Sequence, residues 1–458
     1  MSEREFDVIV IGAGPAGEVI AGRLAQAGLE VAVAEPELVG GECSFWACMP
    51  SKALLRPAEL LAETRRVPGV APEGGGELDV QEVLDRRDEV VHDLDDSGAA
   101  PWLTDQGIAL VREHARLVGE KRIQAGDDVL VARKAVVVAT GTGTNFPPID
   151  GLEDARVWGS REATTAKAVP GRLAILGGGV VGVEMAQAWR SLGAQVTLIE
   201  GSDRPLEHEE PFAGEQVMES LQERGVDVRC DAKATAVNRN DADEVVIAID
   251  GSPDVVADEL LIATGRHPHT DDLGLDTVGL EPGSYIDVDD QMRATGVDGD
   301  WLYAIGDVNG RVLLTHMGKY QARAAAAVIL GGEAAVTHDG TISPRVIFTD
   351  PQVAAVGHTL QAAKDQGLNV RAVDRETSMN AGASFYGRNT RGTARLVIDE
   401  DRKIIVGATF TGFEMADFLH AATIAVVGEV PLDTLWHAIP SFPTRSEVWL
   451  NLFEEYGF

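Results

Sequence analysis

Two stretches of this chain share one construction, and the duplication limits the fold more than any other feature. "FDVIVIGAGPAGEVIAGRLAQAGLEVAVAE" reads as strand, glycine turn, helix and strand, with glycines at 12, 14 and 17 and an acid, Glu35, closing the second strand. "RLAILGGGVVGVEMAQAWRSLGAQVTLIE" repeats the order, with Gly177, Gly179, Gly182 and Glu200. The apolar β-branched runs suit buried parallel strands, and the glycines mark turns into helices. Two such βαβ units predict an α/β fold with two doubly wound (Rossmann-like) nucleotide-binding domains.

In each unit the first glycine permits the tight turn. The second lets a pyrophosphate approach the backbone, and the third packs helix on strand. The helix N-terminus then offers free N–H groups to phosphate. Glu35 and Glu200 are placed to accept hydrogen bonds from a ribose. A carboxylate at 200 repels a 2′-phosphate and favours NADH over NADPH, with Arg204 close by as the opposing signal. The competing reading is a pair of tight turns that hold no ligand.

The rest of the chain is organised around these units. A helical stretch covers about residues 51 to 100, and a strand-rich return ends at "KAVVVATGTGTNFPPIDG". After about residue 340, "PRVIFTDPQVAAVG" and "TARLVIDEDRKIIVGATFTG" suggest an antiparallel sheet with helices. The expected division is a first domain over 1–150, a second over 151–272, a central segment over 273–340 and a C-terminal α+β domain over 341–458. At 458 residues the chain is long enough for several cores.

The formal charge of −34 argues against nucleic acid and anionic membrane surfaces as partners. No run of about 18 apolar residues predicts a membrane span. The N-terminal "MSEREFDVIVIGAG" enters a strand with no secretory pattern, so a cytoplasmic location is expected.

Only three cysteines occur, Cys43, Cys48 and Cys230. Cys230 reads as a small buried hydrophobe. Cys43 and Cys48 lie in "GGECSFWACMPSKALL". Without a second pair a zinc site is disfavoured, and no metal site is predicted. A dithiol/disulfide couple fits better, and two buried structural thiols are the alternative.

Together, "GAGPAG", "GGECSFWACMPSK", "VVVATGT", "GGGVVGVE", "ATGRHP", "YAIGDV", "FTDPQVAAVG" and "FPTRSE" give the chain its resemblance to the class I pyridine nucleotide-disulfide oxidoreductases. This is the family of dihydrolipoamide dehydrogenase, glutathione reductase and mercuric reductase. The resemblance implies FAD in the first domain, over Gly12, Gly14, Pro15, Ala16 and Gly17. Glu35 would hold the adenosine ribose, and Gly41, Ala115, Thr140, Gly141, Gly306, Asp307 and Thr315 would complete that site. It implies NAD(P)H at Gly177, Gly179, Val181, Gly182, Glu200 and Gly265. It further implies that Cys48 faces the flavin, that Cys43 attacks a small-molecule substrate, and that Lys52 and Glu184 form an ion pair beside flavin and nicotinamide. The C-terminal domain resembles the family's dimerisation domain, which implies a homodimer.

One position departs from the family. Its C-terminal motif is His-Pro-Thr-x-Ser-Glu, and here it reads Phe442-Pro443-Thr444-Arg445-Ser446-Glu447. In the family the His handles the thiol's proton and the Glu orients it, and a benzyl group can do neither. The branch of 2-ketopropyl-coenzyme M oxidoreductase/carboxylase also carries Phe there, but has His where this chain has Glu447. His437 is a possible substitute, and Phe45 and Trp46 suggest a dry, aromatic-lined pocket around Cys43. Three functions follow as expectations: an NAD(P)H-dependent FAD disulfide oxidoreductase; a reductive cleavage and carboxylation in which Phe442 excludes protons; and a flavin-bearing redox sensor or partner-binding protein. Mercuric ion reduction is disfavoured, since the ending "NLFEEYGF" lacks the extra cysteine pair of mercuric reductases.

Overall fold

The computed structural model describes residues 2–70, 76–388 and 390–458, so residues 71–75 of the expected helical stretch lie outside the described residues. The chain separates into two compact units. The first comprises Met1–Pro50, Arg87–Asn145 and Arg266–Gly340, and the second Ser51–Arg86, Phe146–Gly265 and Thr341–Phe458.

The first unit is built on a seven-stranded sheet. Its path runs Ala109–Val111, Val31–Ala34, Glu3–Ile11, Asp128–Val138, Arg122–Ala125 and Ala115–Gly119, and Leu302–Ala304 also pairs with Asp128–Val138. The pairings around Glu3–Ile11 are parallel, as expected of a strand followed by a crossover helix. That strand buries Val8, Ile9, Val10 and Ile11, so it reads as a continuous apolar run. Helix Pro15–Gln26 starts with Pro in its first turn, where a missing N–H costs nothing, and buries Ile20, Ala21 and Leu24.

The second unit contains three sets of strands. A four-stranded parallel sheet orders Asp227–Arg229, Gln195–Ile199, Arg172–Leu176 and Glu259–Ile262. Beside it in sequence runs an antiparallel meander, Ala234–Arg239, Val245–Ile249 and Ser252–Ala257. This meander is not among the expectations from sequence, although the alternation in "EVVIAID" followed by Gly251 signals it. The C-terminal region forms a five-stranded antiparallel sheet in the order Arg345–Ile347, Gln352–Gly357, Ile404–Gly412, Thr393–Asp399, Val370–Glu376. Helices Met415–Val427 and Val448–Tyr456 pack on it through Leu419, Ala422, Leu452 and Phe453. The architecture is two doubly wound nucleotide-binding folds with a C-terminal α+β domain. Among the described residues no helix is long and apolar enough to cross a membrane.

Candidate functional site

The first glycine turn is tied down by its neighbours. Gly12 has φ of +101°, and a Cβ there would stand 2.4 Å from the Ala139 carbonyl oxygen. A Cβ on Gly17 would meet the Gly12 oxygen at 2.1 Å, whereas nothing lies within 4 Å of that position at Gly14. The backbone is therefore crowded on the sheet side and open in front of the helix N-terminus, which is the shape a pyrophosphate requires. Gly41, with φ of +58°, comes close to the turn, and a Cβ there would be 2.8 Å from Gly14 Cα.

Glu35 closes the turn from the next strand. Its Oε2 accepts the Ala13 N–H at 2.8 Å and its Oε1 the Glu37 N–H at 2.9 Å. Burial pushes this carboxyl up, and the two amide bonds oppose that. Ala115, itself buried, opens strand Ala115–Gly119 four residues beyond Val111, whose carbonyl accepts the Glu35 N–H. Thr140 carries a buried hydroxyl oxygen without a hydrogen-bond partner, and Gly141 follows with φ of +69°. Asp307, beside Gly306, accepts from Thr142 Oγ1 at 3.0 Å, and burial raises its carboxyl. Arg266 donates in turn to Thr142 Oγ1 at 3.0 Å. Thr142 and Arg266 are not among the site residues expected from sequence, although the "ATGR" motif pointed at Arg266. An open amide cradle, an orphaned buried hydroxyl and an acid held beyond the next strand are the features an FAD molecule requires, so the residues fit it.

The same unit holds the thiols. Cys43 lies in the short helix Gly41–Phe45, and Cys48 is the first residue of helix Cys48–Arg66. A helix N-terminus favours a thiolate. Neither thiol is in a disulfide, and both are partly buried. Cys48 Sγ stands 3.4 Å from the hydroxyl of Thr315, the first residue of helix Thr315–Ile329. The Cys43 thiol is pushed far up, first by its hydrogen bond to Cys48 and then by burial, while Thr315 and Lys319 draw it down. Phe45 is buried and tilts against half-buried Trp46, with 5.8 Å between ring centroids.

In the second unit the glycine turn recurs. A Cβ on Gly177 would be 2.5 Å from the Ala263 oxygen and one on Gly182 only 1.9 Å from the Gly177 oxygen, while Gly179 faces open space. Val181 stands in the first turn of helix Val180–Ser191. Glu200 repeats the pattern of Glu35. One oxygen accepts the Gly178 N–H and the other the Ser202 N–H at 2.8 Å. These residues fit a second dinucleotide. Arg204 is occupied by Asp203 Oδ1 at 3.0 Å and by the Glu207 carbonyl at 3.2 Å. Gly265, exposed with φ of +135°, ends this unit's central segment. Cys230 is partly exposed, not fully buried as its isolation suggested, and it contacts Met218 Sδ at 3.8 Å.

Lys52 Nζ lies 2.8 Å from Glu184 Oε2. Glu184 is buried, and its Oε1 accepts the Phe348 N–H at 2.9 Å. The Phe348 ring centroid is 4.8 Å from the Lys52 ammonium. Phe348 thus holds both members of the pair, a role that sequence reasoning missed.

Phe442 is 75% exposed, and its neighbours Ile439 and His437 are exposed too. Glu447, by contrast, turns one carboxylate oxygen into the protein, where Oε2 is buried without a hydrogen-bond partner. Arg445 anchors the segment. It donates to the Phe413 carbonyl, and its guanidinium stands 4.9 Å from the Tyr386 ring centroid. Among the described residues no group of three or more His, Cys, Asp or Glu side chains converges as a metal site.

Comparison with known proteins agrees with this geometry. Residues 6–326 match the family model described as pyridine nucleotide-disulphide oxidoreductase, and residues 343–452 match its dimerisation domain. A dihydrolipoyl dehydrogenase of Chlamydia trachomatis is 32% identical over 97% of this chain and 95% of its own. A mercuric reductase of Lysinibacillus sphaericus is 28% identical over 98% of this chain and 82% of its own. Among solved structures, the HOCl-induced flavoprotein disulfide reductase RclA of Escherichia coli superposes with a TM-score of 0.86 at 25% identity, covering 98% of this chain and 99% of that one. LpdA of Mycobacterium tuberculosis, at 23% identity and a TM-score of 0.85 over the whole of both chains, shares the fold. The chain belongs to the pyridine nucleotide-disulphide oxidoreductase family, and is an enzyme of the flavoprotein disulfide oxidoreductase type.

Proposed function

We propose that this enzyme uses NAD(P)H, with NADH preferred, to reduce the Cys43–Cys48 disulfide through FAD, and that Cys43 then reduces a small disulfide or similarly electrophilic substrate. The observation that carries this reading is the thiol pair itself. Cys43 and Cys48 are hydrogen-bonded to each other, and Cys48 Sγ lies 3.4 Å from Thr315 Oγ1, in the same unit as the Gly12 turn and Asp307. FAD, when bound, supplies a two-electron carrier between nicotinamide and disulfide. The Gly12 turn, Glu35, Thr140 and Asp307 would hold it, and the Gly177 turn and Glu200 would hold NADH. Glu200 supports the NADH preference, because a second negative group beside an acceptor-only carboxylate is repelled; the two terminal nitrogens of Arg204 are engaged, while its Nε has no partner among the described residues.

The Cys43 sulfur would bond to one substrate sulfur, and the other leaves as a thiolate that takes a proton. Cys48 would then displace the bound half and restore the Cys43–Cys48 disulfide. Lys52 supplies a cation, positioned by Glu184, where negative charge accumulates during reduction. The dimerisation-domain match and the exposure of Ile439 and Phe442 support a homodimer.

Anaerobic titration with NADH, followed by absorbance, tests the electron route. A long-wavelength thiolate–flavin band and uptake of two reducing equivalents more than the flavin alone accepts are expected. Bleaching of the flavin with the thiols untouched would refute it. A second reading, reductive cleavage of a thioether-type substrate with carboxylation, is favoured by Phe442, which puts an apolar group where the family has its acid–base. Phe442→His would then shift product from carboxylated to protonated, and an unchanged ratio would sink that reading.

A further inference from the structure

Two groups hold the Lys52 ammonium, and the roles above use only one of them, the Glu184 carboxylate. The other is the ring of Phe348, and a set of mostly buried bonds keeps that ring in place. Helix Val180–Ser191 carries Glu184 and Gln187 one turn apart, so both lie on one helix face. Glu184 Oε1 accepts the Phe348 N–H at 2.9 Å, and buried Gln187 Oε1 accepts the Asp350 N–H at 2.7 Å. Two helix side chains thus take alternate amides of the segment that follows strand Arg345–Ile347.

The far end of that segment is fixed as well. Ser220 Oγ donates to the Asp350 carbonyl. The buried Asp350 carboxylate receives Arg66, at 3.0 Å, and Arg224. Thr349, buried between the two held amides, donates its hydroxyl to the Pro351 carbonyl at 2.7 Å. The Phe348 side chain is half-buried and packs on the core cluster that contains Leu54, Leu55 and Val183. Its ring centroid lies 4.8 Å from Lys52 Nζ, inside the ~6 Å within which a ring face attracts a cation.

We propose that Phe348 is a positioning residue whose ring seats the Lys52 ammonium. A lysine ammonium on a flexible four-carbon stem can turn about a single carboxylate oxygen. A ring face gives it a second surface to rest on. The same residue supplies both constraints, because the Phe348 amide fixes the Glu184 carboxylate while its ring meets the cation. Carboxylate and ring therefore keep one spacing, and the ammonium settles where both are satisfied. Its effect on turnover rests on the proposed role of Lys52 in flavin reduction. The seat itself is measurable without electron transfer.

The first measurement is acetylation of Lys52 in the holoenzyme with acetic anhydride at about pH 8. Peptide mass mapping follows it, with exposed Lys364 as internal reference. A ring that attracts the ammonium and shields one side of it slows acetylation. Phe348→Leu should therefore speed labelling of Lys52 relative to Lys364 about two- to fivefold, and Phe348→Tyr, which keeps the ring, should match wild type. Labelling unchanged in Phe348→Leu, or speeded equally in Phe348→Tyr, would overturn the seat. If Phe348→Leu does not retain FAD, Phe348→Met, whose unbranched chain adapts to the same space, takes its place under the same criteria.

The second measurement is flavin reduction by NADH in anaerobic stopped flow. Phe348→Leu should slow it about three- to tenfold with little change in the NADH concentration dependence. In a Lys52→Met background the same change should have no further effect, because the ring acts through the lysine. Equal slowing in both backgrounds would show a packing role and overturn the positioning role. Failure of the NADH titration would instead strike the electron route, and the labelling would still decide the seat.

Discussion

Glu184 bonds Lys52 with one oxygen, at 2.8 Å, and the Phe348 amide with the other, at 2.9 Å. The carboxylate is buried while the lysine is about a third exposed, so the pair aims a solvent-facing cation from a fixed base. Truncating one partner leaves the other uncompensated. Lys52→Met should slow flavin reduction by NADH about 10²-fold, by analogy with loss of one preorganised charge stabiliser. Glu184→Gln should slow it less, since an amide still holds the lysine's position. Anaerobic stopped-flow mixing with NADH measures both, and a Lys52→Met rate equal to wild type would remove the pair from the chemistry.

The unpartnered Oε2 of Glu447 is an acceptor awaiting a donor. Phe442→His restores the imidazole of the family's motif five residues before this carboxylate. With a disulfide substrate, turnover should rise about tenfold or more, approaching the ~10²–10⁴ typical of a positioned acid–base. The measurement is NADH oxidation coupled to thiol release. A rate no higher than wild type would mean that proton delivery does not limit this enzyme.

Glu200 accepts the Gly178 and Ser202 amides with its two oxygens, and under the proposed function its remaining lone pairs would face a ribose. Glu200→Ala should raise the KM for NADH about tenfold, with a smaller effect on kcat, and should bring NADPH closer to parity. Initial rates with both nucleotides decide this. An NADPH preference in the wild-type enzyme would show that Arg204 leaves Asp203 for the 2′-phosphate.

Glu18 carries a pH signature in stability. Its folded value, about 7, lies above the ordinary 4.5. The native state therefore binds the extra proton, and this contribution is fully present below about pH 4.5 and lost as pH rises through about 7. Glu18→Gln removes that loss. Its thermal midpoint should match wild type at about pH 4 and exceed it at pH 8, by the equivalent of roughly 3 kcal/mol. Melting curves at the two values check the sign.

The parts of this protein that are legible in its sequence are those encoded over short spans. The glycine turns and the acids closing them lie within one strand–helix–strand unit, and the strong apolar period makes each unit unmistakable. The antiparallel C-terminal sheet is likewise signalled by short local runs rich in β-branched residues, such as "RLVID" and "KIIVGATFTG". The Phe348 clamp is not legible, because its amide reaches a carboxylate 164 residues earlier. Thr142 and Asp307 meet across 165 residues. Glu18 looks like an ordinary first-turn acid favoured by the helix dipole, and nothing local announces its burial. The antiparallel meander of the second unit has a local signal, but its short alternating strands sit between the stronger apolar runs of the parallel sheet and are masked by them.

Glu35 and Glu200 are each tethered through both oxygens before any ligand arrives. Neither can swing toward an incoming sugar, and neither has a rotamer left to freeze when one docks. On the proposed reading each would work as a fixed gauge, refusing a nucleotide of the wrong shape at no entropic loss to the protein. Loosening either tether, by replacing the loop that supplies its amides, should weaken selectivity before it weakens affinity.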